Sequence, residues 1–74
     1  LFGLRPARDA VEAALAEAES AIQAIRRGKQ DMVELAPQAQ EVRREQHALA
    51  RQANLRSLSR GEDPYRRVRL YREG

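Results

Sequence analysis

The chain has 74 residues, a formal net charge of +3, a pI near 10.2, 42% apolar but only 4% aromatic residues, and no cysteine. A chain this short forms one small domain that buries only about 60% of its unfolded surface, and the absence of thiols excludes disulfides and thiolate zinc clusters as staples. No run of about 18 apolar residues is present to cross a membrane, and one histidine, His47, cannot hold a structural metal alone, so no metal and no cofactor are expected.

In chain order, Leu1-Phe2-Gly3-Leu4 is a short apolar patch, read as a terminus folded onto the nearest helix or as an anchor led by Phe2. The start at Leu1 rather than methionine suggests a piece of a longer product. Pro6 suits the first turn of a helix, Asp9 and Glu12 favour its positive end, and residues 7–24 are nearly all strong helix formers. Apolar residues then recur at Val11, Leu15, Ala18, Ile22, Ile25, Met32 and Ala36, with Lys29 interrupting, in the alternating four-three steps of a coiled-coil seam. So narrow a seam needs another helix against it, and stability is expected from oligomerisation or docking.

Arg26-Arg27-Gly28 reads as a helix C-terminus, Asp31 with Glu34 as a new N-cap, and Pro37 as another break. A bend or turn is therefore predicted within residues 28–37, giving two antiparallel helices or one kinked helix. The second helix is expected to run to about Ser59, with Val42, Gln46, Leu49 and Ala53 as its seam and Leu55 and Leu58 on a second face. Arg56, Arg60, Gly61 and Pro64 read as its termination. From Tyr65 to Arg72, period-two alternation predicts an extended strand. With no ladder expected inside the chain, that strand is left to disorder or to the edge of a partner's sheet.

The expected class is therefore all-α: a helical hairpin or kinked long helix (residues 6–60) with a coiled-coil seam, after an apolar segment (1–5) and before a basic extended arm (61–74). Catalysis is not expected. His47 is read as a polar residue on an exposed helix face, no serine stands beside a base in sequence, and no glycine-rich phosphate loop is present. The helical interface is assigned to Val11, Leu15, Ala18, Ile22, Ile25, Met32, Val42, Leu49, Leu55 and Leu58. The arm contacts are assigned to Tyr65, Arg66, Arg67, Val68, Arg69, Leu70, Tyr71 and Arg72. Two uses suit the arm: strand addition to a protein, with Val68 and Leu70 in pockets, or nucleic-acid contact, with arginine forks on phosphate and tyrosines under bases. No helix-turn-helix reader is present.

Pro37, Val42, Arg43-Arg44, Gln46-His47 and Leu55-Arg56-Ser57-Leu58, following an Ala/Glu helix, are similar to small uncharacterised helical proteins of actinobacterial phages. Gln46 and Ala48 depart from that pattern, which carries asparagine and phenylalanine there. The resemblance implies a non-catalytic virion or accessory component, located in the virion or the cytoplasm. The function expected from the sequence is thus structural, packing into a homo- or hetero-oligomer, with a nucleic-acid-binding accessory protein as the rival. Salt separates the two, since only phosphate contacts weaken steeply with it.

Overall fold

The computed structural model describes residues 8–72. The apolar stretch at residues 1–4, including Phe2, lies outside them. Two helices and a three-stranded antiparallel sheet are arranged in the order α1 (Arg8–Arg26), β1 (Met32–Glu34), α2 (Gln40–Gln52), β2 (Arg56–Arg60) and β3 (Arg67–Tyr71). The domain is therefore mixed α/β, which corrects the all-α expectation.

Both helices end in the same way. After α1, Gly28 at φ 78° lets Lys29 N–H reach Ala24 O and Gly28 N–H reach Ile25 O. After α2, Asn54 at φ 62° does the same, with Leu55 N–H on Ala50 O and Asn54 N–H on Arg51 O. These paired six-to-one and five-to-two bonds form a left-handed C-cap, which glycine and asparagine tolerate best. Asn54 thus stops α2 at Gln52, seven residues before the expected end near Ser59, and the chain continues as strand. Nor does Asp31 cap a helix. It leads into β1, and α2 opens at Gln40 from an extended Ala39 without any side-chain cap.

The sheet order is β1-β3-β2, so the residues expected to form a lone arm are the central strand. β3 pairs Val33 with Leu70 on one side and Ser57 with Leu70 on the other. Leu35 N–H extends the ladder to Val68 O at 2.9 Å. Alternation turns Val68 and Leu70 toward the helices, where both are fully buried. They meet Ala18, Ala21, Ile22 and Ile25 of α1, Leu35, and Ala50 of α2, with Val33, Leu49, Ala53 and Leu55 packed around them. Alanines along α1 let its backbone approach closely, so few large side chains fill the core.

The coiled-coil reading is corrected accordingly. Ala18, Ile22 and Ile25 are buried inside the chain, Val11 and Leu15 are half-buried, and Lys29, Met32 and Ala36 lie beyond the helix, exposed. Val42 is buried, while Leu49, Leu55 and Leu58 are half-buried. The seven-residue beat past Ile25 is a coincidence of spacing, and the α1 seam is covered within the chain by the shorter α2 together with the sheet. Side chains tie the layers together. Glu17 Oε2 accepts Ala36 N–H at 3.1 Å, and the fully buried Gln46 donates Nε2 to Ala14 O at 3.0 Å while its Oε1 has no partner.

The β2–β3 connection turns through Glu62 to Tyr65, closed by Tyr65 N–H on Glu62 O and containing a cis Asp63–Pro64 bond. Gly61 starts it at φ 89°, a left-handed conformation in which a side chain is strained and a Cβ would stand 3.3 Å from Tyr65 O, so glycine is favoured there.

Candidate functional site

Gln40, Arg43, Arg44, His47 and Arg51 recur at helical spacing and make one polar stripe along α2. Its opposite face carries Val42, Gln46 and Ala50 into the core. Arg44 and Arg51 of the stripe are exposed, while Arg43 is buried and His47 half-buried. Ser59 of β2 and Arg66, just before β3, stand across from it, and together these residues line a cleft of about 340 Å³.

His47 forms the floor of the cleft. Its Nδ1 lies 2.6 Å from Ser57 Oγ and its Nε2 2.9 Å from Ser59 Oγ. Two residues apart on β2, the two serines share the face turned toward α2. A neutral imidazole fits this pair, one nitrogen donating and the other accepting. Burial lowers the His47 pKa below 6.5, and the charges of Arg51, Arg43 and Arg66 push it the same way. Because the folded value lies below the unfolded one, His47 contributes stability fully above about pH 6.5, and that contribution fades as pH falls through the folded value. The thermal midpoint is therefore expected to drop between pH 7.5 and pH 5, before the carboxylates titrate. An NMR titration of this single imidazole checks it, and a midpoint that rises on acidification contradicts it.

Arg43 is buried and held from two sides, with Nη1 donating to Gln38 O at 2.6 Å and to Asp63 Oδ1 at 3.3 Å. It fastens the segment before α2 to the β2–β3 turn. Arg66 Nη1 donates to Gly61 O at 2.7 Å, which spends no charge. Arg44 and Arg51 are exposed and form no ion pair with any described residue. The cleft thus gathers four guanidiniums, and Asp63, on Arg43, is the carboxylate paired with any of them. Such a surface is electropositive, and arginine forks match the paired oxygens of carboxylates and phosphates. No three of His, Cys, Asp or Glu among the described residues are placed to hold a metal.

Of the arm residues named from sequence, Arg66 reaches this cleft and the others do not. Val68 and Leu70 are core. Arg67 and Arg69 lie on the far side of the sheet, 3.4 Å and 3.0 Å from the Glu34 carboxylate, whose pKa the Arg69 hydrogen bond, with Arg67, holds below the usual carboxylate value. Tyr71 is half-buried on that far face, Tyr65 is 70% exposed, and Arg72 pairs with Asp31 and donates to Ile25 O. Sequence reasoning missed Gln40, Arg43, Arg44, Arg51, Ser57 and Ser59 as members of a site. The spacing of Arg43, Arg44, His47 and Arg51 carried the signal, because a basic stripe with no acid among its members is legible on a helical wheel. The two serines became legible only with β2 in place. His47 is therefore not the exposed bystander expected.

Two helices on a three-stranded sheet thus hold a basic cleft between α2 and the β2–β3 hairpin. The chain belongs to the R-3-H domain family, which matches residues 13–72 and is a nucleic-acid-binding family. The matched span takes in Arg43 and His47 of the cleft. The chain is also 42% identical over 60 residues to the uncharacterized protein ycf45 of Porphyra purpurea, covering 81% of this chain and 11% of that protein. The chain thus spans about a ninth of that relative's length. No solved structure matches it. These findings overturn the likeness to actinobacterial phage proteins and the virion role it implied.

Proposed function

We propose that this domain binds single-stranded nucleic acid without catalysing a reaction, seating consecutive phosphates on Arg44, Arg51 and Arg66 over the His47 floor. The convergence of four guanidiniums on one cleft with a single paired carboxylate carries the reading, and membership of the nucleic-acid-binding family supports it. A single strand suits the shape. The face of α2 that carries the arginines is fastened to β2 through His47, whereas reading a duplex major groove needs a protruding helix or ribbon. Phosphate contacts carry no sequence information by themselves, so weak sequence preference is expected.

His47 keeps the cleft shaped by gripping β2 through both serines. Although Ser57 lies close to Nδ1, the far nitrogen is taken by Ser59 rather than by an orienting carboxylate, so the pair lacks the third member of a nucleophilic triad.

The test is the salt dependence of oligonucleotide binding, followed by fluorescence anisotropy. With three arginines on phosphates, log K is expected to fall against log salt with a slope of about −2, at roughly 0.7 per single-strand phosphate. The bound polyanion should also raise the His47 pKa, since it offsets the arginine charges that depress it. Binding indifferent to salt, with an unmoved imidazole, would remove phosphate from the cleft.

A further inference from the structure

The register divides the sheet into two surfaces. Val33, Leu70 and Ser57 turn toward the helices, so the row beside them, Glu34, Arg69 and Leu58, turns away. On this outer face Tyr71 stands at the centre of its own row, between Met32 and Arg56, and Arg60 sits opposite Arg67. No described element covers it: the helices pack on the other side, Met32 is 44% exposed, and Tyr71 and Leu58 are half-buried.

We propose that this outer face is a second contact for the same strand that occupies the cleft, with bases stacking on Tyr71 and against Leu58 while phosphates meet Arg60 and Arg67. The inference rests on the nucleic-acid reading of the cleft and extends its footprint. Charge argues for this occupant. Arg60, Arg67 and Arg69 share the face with one described carboxylate, Glu34, which pairs with the latter two. An apolar protein partner would bury those guanidiniums at a cost, whereas a polyanion with flat bases satisfies the arginines and the aromatic ring together. Arg60 is exposed and forms no ion pair with any described residue.

Continuity argues for one strand rather than two. Ser59 lines the cleft, while its chain neighbours Leu58 and Arg60 project on the opposite side of β2. β2 is the outermost strand of the sheet, so no further strand of this chain bars the way around it. A chain leaving the cleft needs to cross only one strand to reach Arg60. From there to the Tyr71 row is four residues along β2, about 13 Å.

Oligothymidylates of about 4 and about 12 nucleotides separate the two surfaces, spanning the usual range of single-strand site sizes. Affinity in the unaltered 74-residue chain is expected to rise with length. Arg60→Glu, at an exposed edge, and Tyr71→Leu, which keeps apolar bulk in the strand, should each weaken the longer oligonucleotide about fivefold or more, while the shorter one stays within about twofold. The His47 proton signals verify that each variant is folded. The proposal is overturned if both variants bind the longer oligonucleotide as the parent does, or if length brings no gain. A self-association that Tyr71→Leu dissolves would give this face to a second copy and overturn it as well. Should neither length bind the parent chain, the cleft reading falls too. Loss of long-oligonucleotide affinity on Arg60→Glu, but not on reversal of Arg44 and Arg51, would put the strand on the outer face without the cleft and overturn both the cleft reading and the shared strand.

Discussion

The double substitution Arg44→Glu/Arg51→Glu is expected to lower affinity for single-stranded oligonucleotides by at least about 100-fold at low salt and to leave the fold intact. Each charge-assisted bond to phosphate is worth about 1.5–3 kcal/mol, and two such losses reach that factor before the repulsion of the new carboxylates is added. Both side chains are exposed and hold no ion pair with a described residue, so reversing them leaves the core untouched. The slope of log K against log salt should shrink by about 1.4 at the same time, roughly 0.7 for each single-strand contact removed. That second readout matters because a misfolded variant would lose binding without leaving a smaller slope behind. Anisotropy over a salt series, with a far-UV circular dichroism melt as control, measures both. A variant that binds within a few-fold of the parent removes these arginines from the interface.

Leu70→Ala is expected to unfold the domain. Leu70 is fully buried in the central strand, opposite Val33 on one side and Ser57 on the other, and faces the α1 isoleucines across the core. Large-to-small changes at such sites cost about 2–5 kcal/mol. A domain of this size holds a margin of roughly 3–5 kcal/mol, so the loss consumes most or all of it. Leu70→Ile, which conserves volume, should cost less than about 1.5 kcal/mol. Thermal melts of the pair decide the matter. An alanine variant that melts cooperatively within a few degrees of the parent would mean that the sheet is not the domain's keystone.

How far the sequence could be read depends on where its local signals agree with the tertiary contacts. α1 was legible because composition, Asp9 in the first turn and Gly28 past the last all point the same way. The extended character of residues 67–71 was legible from alternation, but not its place in the middle of a sheet. Both neighbouring strands were disguised. β1 is three residues long and sits inside the continuing seven-residue beat. β2 reads Arg-Ser-Leu-Ser-Arg, with no β-branched or aromatic residue, so intrinsic preference argued against it. Asn54 was the decisive misreading: taken as helix interior, it is a left-handed cap, and passing over it carried the helix through β2. The cleft was half legible. The α2 stripe is present in the spacing of its cations, whereas Ser57, Ser59 and Arg66 join it only through β2 and the hairpin, which local pattern does not reveal.

The contact between Gln46 and Ala14 has a consequence for how the helices find one another. An amide with one end satisfied and the other left dry adds little net strength, because the orphaned oxygen offsets much of what the single bond contributes. What it supplies is discrimination. Smooth alanine-rich surfaces can slide past each other by a turn with small loss of contact, but any displaced docking would strand both ends of this amide away from water. One polar group in an otherwise slippery seam thus acts as a detent, holding α2, and with it the row of arginines, at a single setting against α1.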